Sequence, residues 1–152
     1  MTPDTYQIKN ALISVSDKTQ IVNLTEKLIQ LGINIYSTGG TQKLLTKNNI
    51  KVNNISELTN FPEILDGRVK TLHHNVHAGL LADLSNNEHI NTLNEHNIQS
   101  IDLIIVNLYP FEEYLKKECS EDVSKTDISQ ILIENIDIGG TTMLRSAAKN
   151  YK

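Results

Sequence analysis

Apolar and polar positions alternate along this chain in two rhythms. Compact apolar blocks stand at Ala11–Val15 (ALISV), Ile33–Ser37 (INIYS) and Ile101–Tyr109 (IDLIIVNLY). Short blocks of this kind, bounded by turn residues, suit strands buried on both faces. Elsewhere apolar residues recur every three or four positions. Ile21, Leu24, Leu28 and Leu31 share one helical face, and Gly32 follows where a helix-ending glycine is expected. Asp17 or Ser16 stands where it can cap that helix. A Thr38-Gly39-Gly40 turn and the stretch TQKLLTKNN predict a second helix, and IKVNNI predicts a weaker third strand.

Further on, Phe61-Pro62 interrupts the pattern and a short turn is expected at Glu63–Leu65. Ala78–Ala82 (AGLLA) reads as a strand, NNEHINTLNEHNI as a helix. Pro110 ends the strongest strand, FEEYLKK follows as a helix, and DISQILIEN (Asp127–Asn135) as another. IDIGG is a loop before a last helix, TTMLRSAAKN. Alternating strands and helices predict an α/β fold, a mostly parallel sheet with helices on its faces.

The 152-residue length fits one domain, and 39% hydrophobic content supports a core without staples. The net charge of −4 argues against a nucleic-acid surface, though not against a small basic pocket. No apolar run approaches the roughly 20 residues of a membrane span. The start, MTPDTYQIKN, lacks the pattern of a secretory signal. Cys119 is the single cysteine, which rules out an intrachain disulfide and fits a reducing compartment. A soluble cytoplasmic protein is expected.

In a parallel sheet, ligands bind beyond the carboxyl ends of the strands. Those ends are SVSDK, STGGT and NLYP, with GRVKT and IDIGGTT as further polar glycine loops. In STGGT, Gly39 and Gly40 permit close backbone approach, and Ser37, Thr38 and Thr41 add hydroxyls. This suits a phosphate, and suits a capped tight turn about equally well. Ser14 and Ser16 lie on one side of a strand end. Lys18 stands near a positive helix end, which favours either a nearby anion or plain solvation. Asp137 can cap a helix or accept a proton. Asn107 can read an amide, and Tyr109 is a site hydroxyl or a core aromatic. Lys149 by default lies on a helix surface.

The stretch DGRVKTLHHNVHAG carries Arg68, Lys70 and Thr71 beside His73, His74 and His77. If the segment is extended, Arg68 and Lys70 point the same way and with Thr71 form an anion-binding edge. A metal site is disfavoured: the adjacent histidines diverge, no cysteine assists, and the basic residues repel a cation.

Taken in order, SVSDK, STGGT, SELTNFPEILDGRVKTLHHNVHAGLLA, NLYPF and IDIGGTTMLRSAAKN resemble the IMP cyclohydrolase part of the bifunctional AICAR transformylase/IMP cyclohydrolase family. The resemblance runs from Ala11 to the end of the chain. It implies a three-layer methylglyoxal-synthase-like fold around a sheet of about five strands, incomplete at its C-terminus. It further implies that residues 1–10 are an N-terminal segment and 11–152 a truncated cyclohydrolase domain, without the transformylase domain. The implied reaction closes the ring of the formamido ribonucleotide FAICAR to IMP with loss of water. No metal and no cofactor are implied for that step; 10-formyltetrahydrofolate belongs to the missing transformylase domain. A homodimer is compatible with the family, and neither nucleic acid nor membrane is an expected partner.

The resemblance assigns catalysis to Lys70, Tyr109, Asp137 and Lys149. It assigns nucleotide binding to Ser14, Ser16, Asp17, Lys18, Thr38, Gly39, Gly40, Thr41, Arg68, Val69, Thr71, Asn107, Leu108, Ile138 and Gly139. His74 replaces a proline common in the family, and Thr38 replaces a serine. Two alternatives stay open: an inactive fragment or regulatory nucleotide-binding domain of the same fold, as in carbamoyl-phosphate synthetase, and, less favoured, methylglyoxal synthase. GRVKTLH and NLYPF argue against the last.

Overall fold

A computed structural model describes residues 6–120 and 130–151, with side chains omitted at 117–120. The strands are β1 (Asn10–Val15), β2 (Asn34–Ser37), β3 (Asn53–Asn54) and β4 (Leu103–Asn107). The helices are α1 (Ile21–Gln30), α2 (Gly39–Lys47), α3 (Ile55–Thr59), α4 (His74–Leu81), α5 (Asn87–Glu95), α6 (Phe111–Ser120), α7 (Gln130–Glu134) and α8 (Gly139–Lys149). A 3-10 turn spans Leu65–Gly67. The strands form one parallel sheet in the order β3-β2-β1-β4.

Strand alternation divides the core into two layers. Ala11, Ile13 and Val15 of β1 face one side with Ile21, Ile35 and Leu45, joined by Leu103 and Ile105. Leu12 faces the other side with Ile55, Val76, Leu80 and Met143, joined by Tyr36, Ile104 and Val106. The molecule is therefore the three-layer α/β arrangement that the apolar blocks predict. Four described strands stand where about five are implied.

Local corrections have plain causes. AGLLA is not a strand; it lies in α4, whose N-cap is His73, with Nδ1 accepting from the Asn75 N–H. A five-residue apolar run does not by itself distinguish the two elements. Gly79 is needed there because a Cβ would collide with the Gln99 carbonyl. His74 is the first helical residue, a position that also tolerates proline. Neither Ser16 nor Asp17 caps α1: the cap position is Gln20, at φ 60°. Gly39 and Gly40 are not a turn before α2 but its first two residues. Gly32 does end α1, in a Schellman motif with bonds from Gly32 N to Ile29 O and from Ile33 N to Leu28 O. Asp127–Ser129 and the Cys119 side chain lie outside the described residues. Among the described residues, no helix is long and apolar enough to cross a membrane.

Candidate functional site

The sheet order places β2 on one side of β1 and β4 on the other, so consecutive connections diverge at β1. Crevices in parallel sheets open at such points, beyond the carboxyl ends of the strands. A cavity of about 590 Å³ lies there. Register brings its rim together: Ile13 pairs with Ser37 and Val15 with Asn107, so SVSDK, STGGT and NLYP emerge side by side.

The rim is built from side chain to backbone bonds. Thr41 Oγ1 donates to Val15 O at 2.9 Å and accepts from Val15 N at 3.3 Å, tying α2 to the end of β1. Ser37 Oγ donates to Ile13 O at 2.9 Å. Buried Thr38 holds the N-cap position of α2 without capping it; its hydroxyl meets Ser14 Oγ at 2.9 Å. The first N–H groups of α2 consequently carry no side-chain cap. Asn107 is committed to the neighbouring loop. Its Oδ1 accepts from Ser16 N at 2.6 Å and Asp17 N at 3.0 Å, and its Nδ2 donates to Asp17 O at 2.8 Å. It lines the cavity but clamps the loop, a role different from reading an amide of a ligand.

The segment from Asp66 to Thr71 is a series of turns, not an extended edge, with bonds from Arg68 N to Leu65 O and from Lys70 N to Gly67 O. Arg68 and Lys70 reach the cavity nonetheless. The Lys70 stem and ammonium run between two glycines of positive φ. A Cβ on Gly39 would lie 2.8 Å from Lys70 Nζ, and one on Gly67 3.3 Å from it. Backbone without side chains is what lets the lysine through. Lys18 packs over Gly40, its Nζ donating to Ser16 O at 2.9 Å. Arg68 is paired with Glu134 at the C-terminal end of α7.

On the facing wall, Asp137 Oδ1 accepts from Gly140 N at 2.7 Å. A Cβ on Gly140 would meet Asp137 Oδ2 at 2.7 Å and Leu108 Cδ2 at 2.8 Å, so glycine is required for the carboxylate to sit there. Gly139 likewise packs against Thr71 Oγ1, joining the start of α8 to the basic loop. Asp137 thus caps the helix through one oxygen and keeps the second for the cavity. Neither the Lys70 ammonium nor the Tyr109 hydroxyl has a hydrogen-bond partner or ion pair among the described residues.

The structure therefore gathers Ser14, Ser16, Lys18, Thr38, Gly40, Thr41, Arg68, Lys70, Thr71, Asn107, Tyr109, Asp137, Ile138 and Gly139 around one cavity. Gly39 and Leu108 stand just behind that wall, against Lys70 and Gly140. Val69 turns instead into a small neighbouring crevice with Phe61, Pro62 and His73. Exposed Asp17 faces away, accepting from Thr19 Oγ1 at 2.6 Å and Thr19 N at 2.9 Å; these bonds hold its carboxyl below the usual range. Lys149 is not brought to the site. It ends α8, roughly 9 Å of helix beyond Met143, the last α8 residue that lines the cavity. Asp66 and Glu134 line the cavity unforeseen, as do Ile133, Ile136 and Met143. Glu134 carries no local signal, since its partner is 66 positions away.

The histidines are structural neighbours of the site. His73 and His74 stack at 4.3 Å, and burial followed by the charge of His74 pushes the His73 ring downward in pKa. His77 Nδ1 meets Ser146 Oγ at 2.9 Å between α4 and α8. Among the described residues, no group of three or more His, Cys, Asp or Glu could hold a metal ion.

The family model of the MGS-like domain matches residues 20–142. The bifunctional purine biosynthesis protein PurH of Macrococcus caseolyticus is 56% identical over 145 residues, 95% of this chain and 28% of that protein. PurH of Bacillus subtilis is 57% identical over the same share of this chain, and covers as 27% of its own length. The chain therefore spans about a quarter of the length of these relatives. Among solved structures, the crystal structure of ForH superposes with a TM-score of 0.76 at 34% identity, over 95% of this chain and 70% of that one. The chain belongs to the MGS-like domain family, and within it is similar to the MGS-like part of PurH.

Proposed function

We propose that this chain closes the ring of FAICAR to IMP. The observation that carries the reading is the placement of Lys70: an ammonium without a partner among the described residues, between two glycines, in the same cavity as Asp137 and Tyr109. Similarity to PurH, a purine-biosynthesis protein, supports a purine nucleotide as substrate. A cavity of about 590 Å³ is the size that small-molecule sites occupy.

The chemistry assigns each group a task. The carboxamide nitrogen of FAICAR attacks the formyl carbon, forming the new C–N bond. Asp137 Oδ2 takes the proton that this weak nucleophile must lose. Oxygen of the formyl group gains negative charge, which the Lys70 ammonium stabilises. The oxyanion takes up the proton held by Asp137 to become a hydroxyl, which then leaves as water with the Tyr109 hydroxyl as donor. As that C–O bond breaks, the ring C=N forms and the former formamide nitrogen gives up its N–H proton, which restores the tyrosine. The balance is one FAICAR to one IMP and one water, so no redox cofactor enters. Uncapped N–H groups at the start of α2, with Lys18 and Arg68, receive the phosphate.

A second reading is nucleotide binding without turnover. The displacement of Lys149 from the cavity favours it, because that lysine completes the catalytic set implied by the resemblance. One experiment separates the two: incubation with FAICAR, followed by the ultraviolet change on forming IMP. Turnover above the uncatalysed rate, reduced about 100-fold or more in Lys70→Ala at unchanged circular dichroism, is expected. IMP binding without turnover leaves the second reading.

A further inference from the structure

Charge around the cavity is balanced. Lys18, Arg68 and Lys70 line it, and so do Asp66, Glu134 and Asp137. These groups are not equivalently engaged. Lys18 donates to a backbone carbonyl and Lys70 has no partner among the described residues, whereas the Arg68 guanidinium is already held by the Glu134 carboxylate. That pair joins the basic loop to α7 across the cavity, with side-chain exposures of 63% and 44%.

We infer that Glu134 is an internal stand-in for the phosphate of the ligand, holding Arg68 until a ligand anion displaces it and thereby weakening the binding of phosphate-bearing ligands. The inference rests on the proposed reading that Arg68 receives a nucleotide phosphate. An arginine fork binds a phosphate dianion through two parallel bonds, so a phosphate monoester outcompetes one carboxylate. An uncharged nucleoside offers Arg68 nothing and leaves the pair closed. An exposed pair of this kind contributes little, about 0.2–1 kcal/mol, so exchange is cheap for the right ligand. The carboxylate, left beside the bound phosphate, then repels it.

The test is Glu134→Gln, which keeps shape and removes the charge, with binding measured by calorimetry for IMP, inorganic phosphate and inosine. The expected result is roughly 1.4- to fivefold tighter binding of IMP and phosphate, the factor to which such a pair converts, with inosine unchanged. In an Arg68→Ala background the gain should vanish, because the competition is for that side chain. Unchanged or weaker IMP binding in Glu134→Gln overturns the inference, as does equal tightening for inosine. Tighter phosphate binding in a chain that does not turn over FAICAR would sustain the inference while ending the proposed reaction.

Discussion

The two ends of the central strands use similar side chains to opposite effect. At the amino end, Asp102 accepts from the Tyr6 hydroxyl at 2.9 Å, from Lys9 N at 2.8 Å and from Asn10 N at 2.9 Å. Asn10 adds a bond to Ser100 O at 3.0 Å. At the carboxyl end, Asp137 accepts a single backbone bond through Oδ1, and Lys70 and Tyr109 have no partner among the described residues. A carboxylate surrounded by donors holds strands in register. One left half-satisfied, in the same cavity as an ammonium unpaired among the described residues, is available to a ligand. The same sheet is thus fastened at one end and open for chemistry at the other.

The comparison can be broken from either side. The largest expected effect is at the open end: Asp137→Asn should lower FAICAR turnover by about 100- to 1000-fold while moving the urea midpoint little, since the amide oxygen still caps Gly140 N. Next comes the fastened end. Asp102→Ala removes three bonds to a charged acceptor and should cost about 3 kcal/mol in urea unfolding, with turnover per folded molecule retained. Asn107→Ala sharpens the boundary, because this residue belongs to both classes. Loss of its clamp on Ser16 and Asp17 should raise KM for FAICAR about tenfold and reduce stability by about 1 kcal/mol.

The smallest effect concerns pH. Burial, the hydrogen bond to Asp102 and the charge of Asp102 push the Tyr6 hydroxyl up to about 12. A folded value above the unfolded one of about 10 means that this contact contributes fully below pH 10. Its contribution is lost as pH rises towards 12. Tyr6→Phe should therefore flatten the alkaline decline of the urea midpoint over that window and leave neutral-pH activity alone.

Legibility in the sequence followed how local the physics is. β1 and β4 were readable because every residue from Ala11 to Ile13 and from Leu103 to Val106 is apolar, as burial on two faces demands. α1 was readable from its periodicity, but its start was not, since Asp17 uses its carboxylate on Thr19 within a tight loop. α4 was misread because Ala78–Ala82 is too short to show a period, and the helix is set by packing against Met143 and Leu12. The convergence of SVSDK, STGGT and NLYP was legible from chain order in a parallel sheet, whereas the place of GRVKT beside them was implied by the resemblance. The Arg68–Glu134 contact was not, because nothing local to either residue specifies the other. Lys149 was legible only through resemblance, and the length of α8 carries it away.

The passage of Lys70 between Gly39 and Gly67 has a consequence for how this site tolerates change. An added methyl would meet the ammonium at 2.8 Å from Gly39 and at 3.3 Å from Gly67, and both positions carry a positive φ, so a side chain at either strains the backbone and presses the lysine out of place, Gly39 more than Gly67. Random mutagenesis scored for loss of nucleotide turnover should therefore return both glycines as sensitive positions, Gly39 ahead of Gly67, although neither bears a functional group.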